Sequence, residues 1–210
     1  MAGEAEPAKS SKDMAPNDMA PNGMASRVLL FGAPGSGKGT QAALLAERLG
    51  VPAISTGEML RAAVAGGSAL GRKVDAILAA GSLVDDGTMG DVVRERLARA
   101  DARRGFLLDG YPRTIPQAAT LEEILRRHGA SLDAAVLLEV PEGELVRRLT
   151  CRGREDDRED VVRERLRLFD EKTAPLIGYY QQRGLLRRVD GDRTVPEVAD
   201  AILDTLRRAA

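Results

Sequence analysis

The chain has 210 residues, a formal net charge of −1 and 30% charged residues, and this balance excludes a general nucleic-acid binder. Its single cysteine, Cys151, excludes an internal disulfide and a zinc site made of four thiolates from one chain. No apolar run approaches the ~20 residues that a membrane span needs, and the N-terminus lacks an apolar signal segment. We therefore expect a cytoplasmic protein with one well-buried core and no membrane partner.

The first residues differ in composition from the rest of the chain. Residues 13–17 read Asp-Met-Ala-Pro-Asn and are repeated at once over residues 18–22, among Lys, Ser, Glu and Gly. Such a segment has no apolar face to bury, so we predict a disordered leader over residues 1–26. Met24, just before the first apolar run, is a candidate alternative translation start.

From Arg27 onward, short apolar runs alternate with amphipathic segments, which is typical of a parallel sheet covered by helices. The predicted strands span residues 28–31, 52–54, 106–108, 134–140 and 185–189. The predicted helices span residues 37–49 and 117–127, then a long helix whose inner stripe runs from Val162 to Leu176, and finally residues 195–208. Residues 56–84 hold helical material without a strand, and the charged run 151–160 predicts a surface loop over the ligand-binding edge of the sheet.

The most informative motif follows the first predicted strand, where residues 32–40 read Gly-Ala-Pro-Gly-Ser-Gly-Lys-Gly-Thr. Glycines let successive backbone N–H groups converge on phosphate oxygens, and the N-terminus of the next helix adds partial positive charge. Lys38 can then reach the terminal phosphates. Gly39 stands where Ser or Thr is usual, so the hydroxyl comes one residue later, at Thr40. This pattern predicts a phosphate-binding loop.

Two further features follow predicted strands. Asp109 ends the third strand, where a carboxylate beside a phosphate loop can hold water around Mg²⁺; the alternative is a carboxylate that caps the next turn. Residues 55–58, Ser-Thr-Gly-Glu, fit a capping box in which Ser55 begins a helix. Because the carboxyl ends of parallel strands share one edge, we expect these residues to lie near the phosphate loop.

Arginines are concentrated around the same edge. Arg113 follows the third strand, Arg148, Arg152 and Arg154 lead into the charged run, and Arg165 borders the inner stripe of the long helix. A half-buried arginine requires an anionic partner, and the guanidinium fork suits phosphate. The alternative is a set of surface Arg–Glu pairs, each of which contributes only a few tenths of a kcal/mol.

So many cations around one phosphate loop favour two phosphorylated ligands over one. When the acceptor is itself a phosphate, the nucleophile is already an anion and no general base is required. The chain's one histidine, His128, falls near the end of a polar helix and is not expected to be catalytic. Catalysis would then consist of alignment and charge stabilisation on the transferring group.

Four segments together resemble the signature segments of adenylate kinases, namely residues 32–40, 55–61, 105–114 and 152–157. Their order and spacing match from about Arg27 to the C-terminus. The resemblance implies an α/β fold, a P-loop three-layer sandwich with a five-stranded parallel sheet. It also implies reversible transfer of the terminal phosphoryl group of ATP, bound with Mg²⁺, to AMP, which gives two ADP on a monomeric enzyme.

The resemblance also divides the chain from residue 27 onward into a core, a helical AMP-binding insertion and a short lid. The insertion would be residues 55–84 and the lid residues 151–161, with the core made of residues 27–54, 85–150 and 162–210. The short lid lacks the insertion that holds a structural zinc in long-lid members. Closure would exclude water and limit ATP hydrolysis.

Site residues follow from the resemblance by position. The ATP subsite would comprise Gly35, Ser36, Gly37, Lys38, Gly39, Thr40, Arg148, Arg152 and Arg193. The AMP subsite would comprise Thr56, Arg61, Ser82, Leu83, Val84, Gly110, Tyr111, Pro112, Arg113, Gln117, Arg154 and Arg165. The catalytic cations would be Lys38, Arg113, Arg152, Arg154 and Arg165, and Asp109 would hold Mg²⁺ through water.

Two alternatives stay open. The first is a kinase for UMP or CMP, but relatives that prefer pyrimidines usually carry Ala and Asn where this chain has Thr56 and Thr114. Gln117 is also placed to hydrogen-bond an adenine edge. The second is a nucleotide-sensing module of the same fold without turnover. Departures from the family pattern are Glu58 for Asp, Tyr111 for Phe, and the pair at residues 85–86, Asp-Asp, for a turn with Pro or Thr.

Overall fold

A computed structural model describes residues 26–152 and 158–207, with Arg152 described by its backbone alone. Within these residues, five strands form one parallel sheet in the order β2-β3-β1-β4-β5. The strands are β1 (Arg27–Phe31), β2 (Ala53–Ser55), β3 (Phe106–Asp109), β4 (Ala134–Glu139) and β5 (Leu186–Asp190). All five predicted strands are confirmed, with each boundary within one residue of its predicted position.

Helices cover both faces of the sheet. In the described residues they are α1 (Lys38–Leu49), α2 (Thr56–Ala65), α3 (Ala69–Ala79), α4 (Asp86–Leu97), α5 (Ile115–Arg127), α6 (Glu142–Arg152), α7 (Glu159–Leu168), α8 (Pro175–Gln182) and α9 (Val195–Arg207). Every helix in this part of the chain is too short or too polar to traverse a bilayer.

Successive side chains of β1 alternate between two separate clusters of the hydrophobic core. Val28 and Leu30 pack into a cluster with residues of α1 and α9, whereas Leu29 and Phe31 pack into a second cluster with residues of α4, α5 and α8. All four side chains are buried, because successive residues of a strand point to opposite faces and a parallel sheet is covered on both. The three-layer α/β sandwich is therefore confirmed.

The predicted long helix after the charged run is interrupted. Helix α7 ends at Leu168, a π-helical turn spans Phe169–Thr173, and α8 begins at Pro175. Proline lacks an amide hydrogen, so a regular ladder cannot run through it unchanged, and the wider turn brings the chain into α8. Helix α5 begins two residues earlier than predicted, since the Thr114 hydroxyl accepts a hydrogen bond from the Gln117 amide and caps it.

Of the predicted leader, the structure describes the last residue alone. Ser26, within the predicted leader, is buried, and its amide donates to the Asp133 carboxylate at 2.8 Å. The structure therefore places Ser26 with the core. Residues 1–25 lie outside the described residues, as do residues 153–157 of the predicted lid.

Tyr180 offers a test of the core. Its side chain is 1% exposed, its ring lies 6.0 Å from that of Phe31, and its hydroxyl has no hydrogen-bond partner among the described residues. Burial raises the pKa of this hydroxyl. Removing a buried group with no partner relieves a desolvation cost, so Tyr180→Phe should raise the free energy of unfolding by up to about 1 kcal/mol in a urea titration.

Tyr179→Phe is the matched control for Tyr180→Phe. Tyr179 is half-buried, and the Arg183 guanidinium lies 3.5 Å from its ring centroid, a contact that phenylalanine keeps, whereas the hydrogen bond of the hydroxyl to the Glu122 carboxylate is lost. We expect a loss of no more than about 1 kcal/mol there. A loss of stability in Tyr180→Phe of more than that amount would show that the hydroxyl is stabilising.

Candidate functional site

The carboxyl ends of three strands converge on one cleft. Leu30 of β1 and Ser55 of β2 are both in register with Asp109 of β3, so the chain leaves all three strands at one level. The described residues line a cleft of about 610 Å³ there, and a smaller pocket of about 60 Å³ adjoins it. The site therefore lies at the sheet edge that the sequence indicated.

The loop between β1 and α1 forms the floor of the cleft. Gly35 has a φ of +85°, and a Cβ at this position would lie 2.9 Å from the Leu145 carbonyl oxygen, so only glycine fits. The Ser36 amide donates to the Ala33 carbonyl at 3.1 Å, which tightens the turn. Gly37, in a left-handed conformation, then begins α1. The helix N-terminus therefore faces the cleft.

Lys38 folds across this loop. Its Nζ donates to the carbonyl oxygens of Gly32 and Ala33, each at 2.9 Å, and to the Ser36 hydroxyl at 3.3 Å. The ammonium group is thus held against the turn of the loop. A flexible lysine that already lies at this position needs little reorganisation to meet a phosphate oxygen.

Asp109 provides oxygen ligands beside the loop. Its Oδ2 accepts a hydrogen bond from the Ser55 hydroxyl at 3.4 Å, and a Cβ on Gly39 would lie 3.8 Å from it. Mg²⁺ is usually held by one or two carboxylates together with phosphates and water. In residues 26–152 and 158–207, no three His, Cys, Asp or Glu side chains converge into a protein-only metal cage. One carboxylate at a phosphate loop fits Mg²⁺ better than a structural zinc.

Arg113 lies between the cleft and the smaller pocket and lines both. Its Nε donates to the Gly110 carbonyl at 2.8 Å, and its backbone is held by the Thr173 hydroxyl and the Gln117 side chain. Burial lowers the pKa of its guanidinium, the Asp109 carboxylate opposes that shift, and Arg61 adds to it. An arginine remains protonated nonetheless, so a fixed positive charge stands where the two pockets meet.

Cationic side chains dominate the lining of the cleft. In the described part of the chain they are Lys38, Arg61, Arg113, Arg147, Arg148, Arg165 and Arg193, against the acidic Glu58, Asp109 and Glu144. Arg165 of α7 is half-buried and lines both pockets, whereas Arg163 and Arg167 of the same helix are exposed. The low dielectric of a cleft strengthens the attraction of such a lining for polyanions.

Arg148 is held flat at one end of the cleft. Its guanidinium donates to the Glu144 carboxylate at 2.7 Å, the Gly191 carbonyl at 3.1 Å and the Asp192 carboxylate at 3.1 Å. The Arg193 side chain pairs with Asp190 in the same loop. Sequence reasoning missed Glu144, although its position four residues before Arg148 on a helix was a signal for pairing.

The smaller pocket contains most of the other predicted residues. Besides Arg61, Gly110, Arg113 and Arg165, it is lined by Thr56, Ser82, Leu83, Val84 and Gln117. The remaining predicted residues line the main cleft, namely Gly35, Ser36, Gly37, Gly39, Thr40 and Pro112. Side chains that are distant in sequence therefore form two adjoining chambers.

Three predicted site residues are not among the pocket-lining residues that the structure describes, namely Tyr111, Arg152 and Arg154. Tyr111 differs from the prediction: its side chain is fully buried in the core and lines neither pocket, because the chain turns inward between Gly110 and Pro112. Burial, with the Asp86 carboxylate as a second cause, raises the pKa of Tyr111 to about 12. The side chains of Arg152 and Arg154 lie outside the described residues.

Besides Glu144, two residues that hold the site together were not among the predicted ones. Thr173, which the sequence placed on a core-facing stripe, donates from its hydroxyl to the Arg113 carbonyl at 3.0 Å. Asp86 accepts hydrogen bonds from Gln117 and Thr114. A polar residue on an apolar stripe was a signal for Thr173, whereas for Asp86 the sequence showed only an unusual acidic pair.

Comparisons with known proteins agree with this geometry. The family model described as adenylate kinase matches residues 30–185. An adenylate kinase of Kocuria rhizophila is 48% identical over 187 residues, which cover 87% of this chain and 100% of that protein. An adenylate kinase of Thermobifida fusca is 46% identical over 188 residues, covering 88% and 100%.

A third relative, an adenylate kinase of Xanthomonas euvesicatoria, is 48% identical over 186 residues, which cover 87% of this chain and all of that protein. The matched segment includes the last two residues of β1, the phosphate loop and all of β2, β3 and β4, and it ends just before β5. Adenylate kinases are phosphotransferases, and that class of reaction suits a cleft built from a phosphate loop and fixed cations. The chain belongs to the adenylate kinase family.

Proposed function

We propose that this chain transfers the terminal phosphoryl group of ATP to AMP, reversibly, giving two ADP. One observation carries the proposal: Arg61, Gly110, Arg113 and Arg165 line both the cleft above the phosphate loop and the smaller pocket beside Gln117. Two chambers that share a cationic boundary suit two phosphorylated ligands whose phosphates meet end to end.

The donor would occupy the larger chamber. Its phosphates would lie on the backbone amides from Gly35 to Thr40 with Lys38 above them, and its base would lie toward Arg148, Arg193 and the β5–α9 loop. The flat, triply hydrogen-bonded guanidinium of Arg148 supports a stacking role. Arg152 is assigned to the same subsite by position alone.

The acceptor would occupy the smaller chamber. Thr56, Arg61, Ser82, Leu83, Val84 and Gln117 would bind AMP, together with Gly110, Pro112 and Arg113. The Thr56 hydroxyl donates to the Asp109 carbonyl at 3.3 Å, which ties the first turn of α2 to the end of β3. Arg154 and Arg165 would hold phosphates between the two nucleotides.

The chemical step needs alignment and charge, without a general base. An oxygen of the AMP phosphate attacks the terminal phosphorus of ATP, the bond from that phosphorus to the bridging oxygen breaks, and ADP leaves with the electron pair. Arg113 and Lys38 stabilise the charge that spreads over the transferring group. Bound Mg²⁺, held by Asp109 through water, would neutralise phosphate charge in this arrangement. His128 is exposed at the end of α5, away from the cleft.

Substrate choice tests the proposal. We expect initial rates with ATP as donor to be at least about tenfold higher for AMP than for UMP, CMP or GMP, since a site that pairs polar groups with one base rejects others. Calorimetric titration with ADP should reach two nucleotides per chain. A preference for UMP or CMP would make the chain a pyrimidine nucleotide kinase. Binding without turnover would make it a nucleotide sensor.

We also propose that the enzyme works as a cytoplasmic monomer whose partners are ATP, AMP and ADP. The resemblance to the family supports this form. Light scattering at assay concentrations tests it, and a stable dimer would contradict it.

A further inference from the structure

The amide of Gln117 is held at both ends. Its Oε1 accepts a hydrogen bond from the Arg113 backbone N–H at 2.7 Å, and its Nε2 donates to Oδ1 of Asp86 at 2.8 Å. The side chain is 2% exposed and lines the smaller pocket. A buried amide with partners of opposite kind at its two ends has one satisfied orientation.

Reversing this amide would break both contacts. A backbone N–H only donates and a carboxylate only accepts, so a flipped Gln117 would set two donors against each other at Arg113 and two acceptors at Asp86. The Thr114 hydroxyl strengthens the arrangement, because it donates to Asp86 at 3.1 Å and accepts from the Gln117 backbone N–H at 3.2 Å. Asp86 therefore orients Gln117, and Thr114 orients Asp86.

One hydrogen on Nε2 and one lone pair on Oε1 remain for a ligand. They form a donor beside an acceptor, with the order of the two set by Asp86 and by the Arg113 backbone N–H. A 6-aminopurine offers an acceptor at N1 beside a donor at N6, whereas a 6-oxopurine offers a donor at N1 beside an acceptor at position 6. For a base in one position, the locked amide can pair with only one of these two edges.

We infer that Asp86 is a specificity-determining positioning residue, which locks the Gln117 amide so that the acceptor site takes a 6-aminopurine and rejects a 6-oxopurine. The inference rests on the proposed function, because AMP as acceptor puts N6 against Oε1 and N1 against Nε2. Asp86 does not touch the nucleotide in this scheme; it acts through Gln117.

The variant Asp86→Asn tests the inference. Asparagine keeps the size of the side chain but can donate or accept, so it no longer opposes a reversed Gln117, and of the two contacts that fix the amide only the one from the Arg113 backbone N–H remains. The matched control is Asp85→Asn. Asp85 also lies at the N-terminus of α4, where it accepts from the Thr88 amide at 2.8 Å, and it makes no contact with Gln117. Both variants remove one negative charge from one helix end, and asparagine caps a helix as well as aspartate does.

The measured quantity is the ratio of kcat/KM for AMP to kcat/KM for IMP with saturating ATP and Mg²⁺. We expect Asp86→Asn to lower this ratio at least about tenfold, mainly through a higher KM for AMP, with kcat for AMP changed less than about threefold. Asp85→Asn should leave the ratio within about twofold. An unchanged ratio in Asp86→Asn, or an equal loss in Asp85→Asn, overturns the inference.

A double variant, Asp86→Asn with Gln117→Glu, separates selectivity from stability. The exchanged pair keeps the hydrogen bonds to the Arg113 amide and between the two side chains, and it keeps the net charge. It offers the base acceptors only. We expect a melting temperature close to that of the wild type and a low ratio of kcat/KM for AMP to kcat/KM for IMP. A wild-type ratio in the double variant would overturn the inference. This test holds even if the single variant Asp86→Asn fails to fold.

Failure of the inference and failure of the proposed function give different results. A wild-type chain that phosphorylates no nucleoside monophosphate contradicts the proposed function. A wild-type chain that uses AMP but does not discriminate against IMP contradicts the inference alone.

Discussion

Replacing Arg113 with alanine is expected to lower kcat at least about a hundredfold, as for the loss of a charged contact to a transferring phosphoryl group. Among the described residues, Arg113 is one of three arginines that line both pockets, and its Nε bond to the Gly110 carbonyl directs the guanidinium there. Under the proposed function, its charge would act where the two nucleotides repel each other most. Steady-state kinetics with ATP and AMP measure the effect.

Two further variants separate the contribution of charge from that of geometry. Arg113→Lys keeps the charge but loses the planar fork, so we expect it to recover part of the activity and to stay at least about tenfold below the wild type. Arg167→Ala removes an exposed arginine of α7 that pairs with Glu164 and Glu171, and it should stay within about twofold. A kcat for Arg113→Ala near the wild-type value would exclude this residue from the mechanism.

The second large effect is expected at Gly71, on α3 of the predicted insertion. A Cβ there would lie 2.0 Å from the Ala63 carbonyl oxygen of α2, a backbone atom that cannot rotate away. Gly71→Ala must therefore push α2 and α3 apart, and we expect a loss of about 2–4 kcal/mol in the free energy of unfolding. Thermal and urea denaturation measure it.

The same change should affect one substrate more than the other. Helix α2 contributes Thr56 and Arg61 to the smaller pocket, whereas the phosphate loop lies on another element. We expect the KM for AMP to rise at least about fivefold and the KM for ATP to change less than about twofold. Equal effects on the two substrates would mean that the insertion does not form the acceptor subsite.

Gly143→Ala provides the control for Gly71→Ala. Gly143 lies in the first turn of α6, and an added Cβ would meet no atom within 4 Å among the described residues outside its own helix backbone and chain neighbours. Alanine is the better helix former by about 0.5–1 kcal/mol, so this variant should be as stable as the wild type or slightly more stable. A comparable loss of stability in both variants would mean that contact with α2 is not the cause.

The local pattern of apolar and polar residues was enough to predict most of the strands and helices. β1, β3 and β4 consist mostly of apolar residues, and the boundaries of all five strands lie within a residue of their predicted places. The helix after Thr114 began earlier than its apolar stripe indicated, because a cap extends a helix beyond the residues that pack. The break before α8 was missed, since the same stripe continues from Val162 to Leu176 across the π-helical turn.

The residues of the candidate site also fall into two groups, those that local sequence identifies and those whose partners are distant in sequence. Lys38 and the glycines around it act within one short segment, so spacing along the chain was enough to identify them. Arg148 is held by Gly191 and Asp192, 43 and 44 residues away, and Gln117 is held by Asp86, 31 residues away. No periodicity indicates such partners.

The order of residues along the chain by itself determined the alternation of strand and helix, the phosphate loop and the sheet edge at which the cations collect. These depend on backbone preference and on the burial of neighbouring side chains, and both are determined by residues that lie close together in the sequence. Only the tertiary structure decided that Tyr111 turns into the core, that Arg113 separates two chambers and that Asp86 orients Gln117. Those outcomes depend on which strands become neighbours, and packing of the whole sheet determines that.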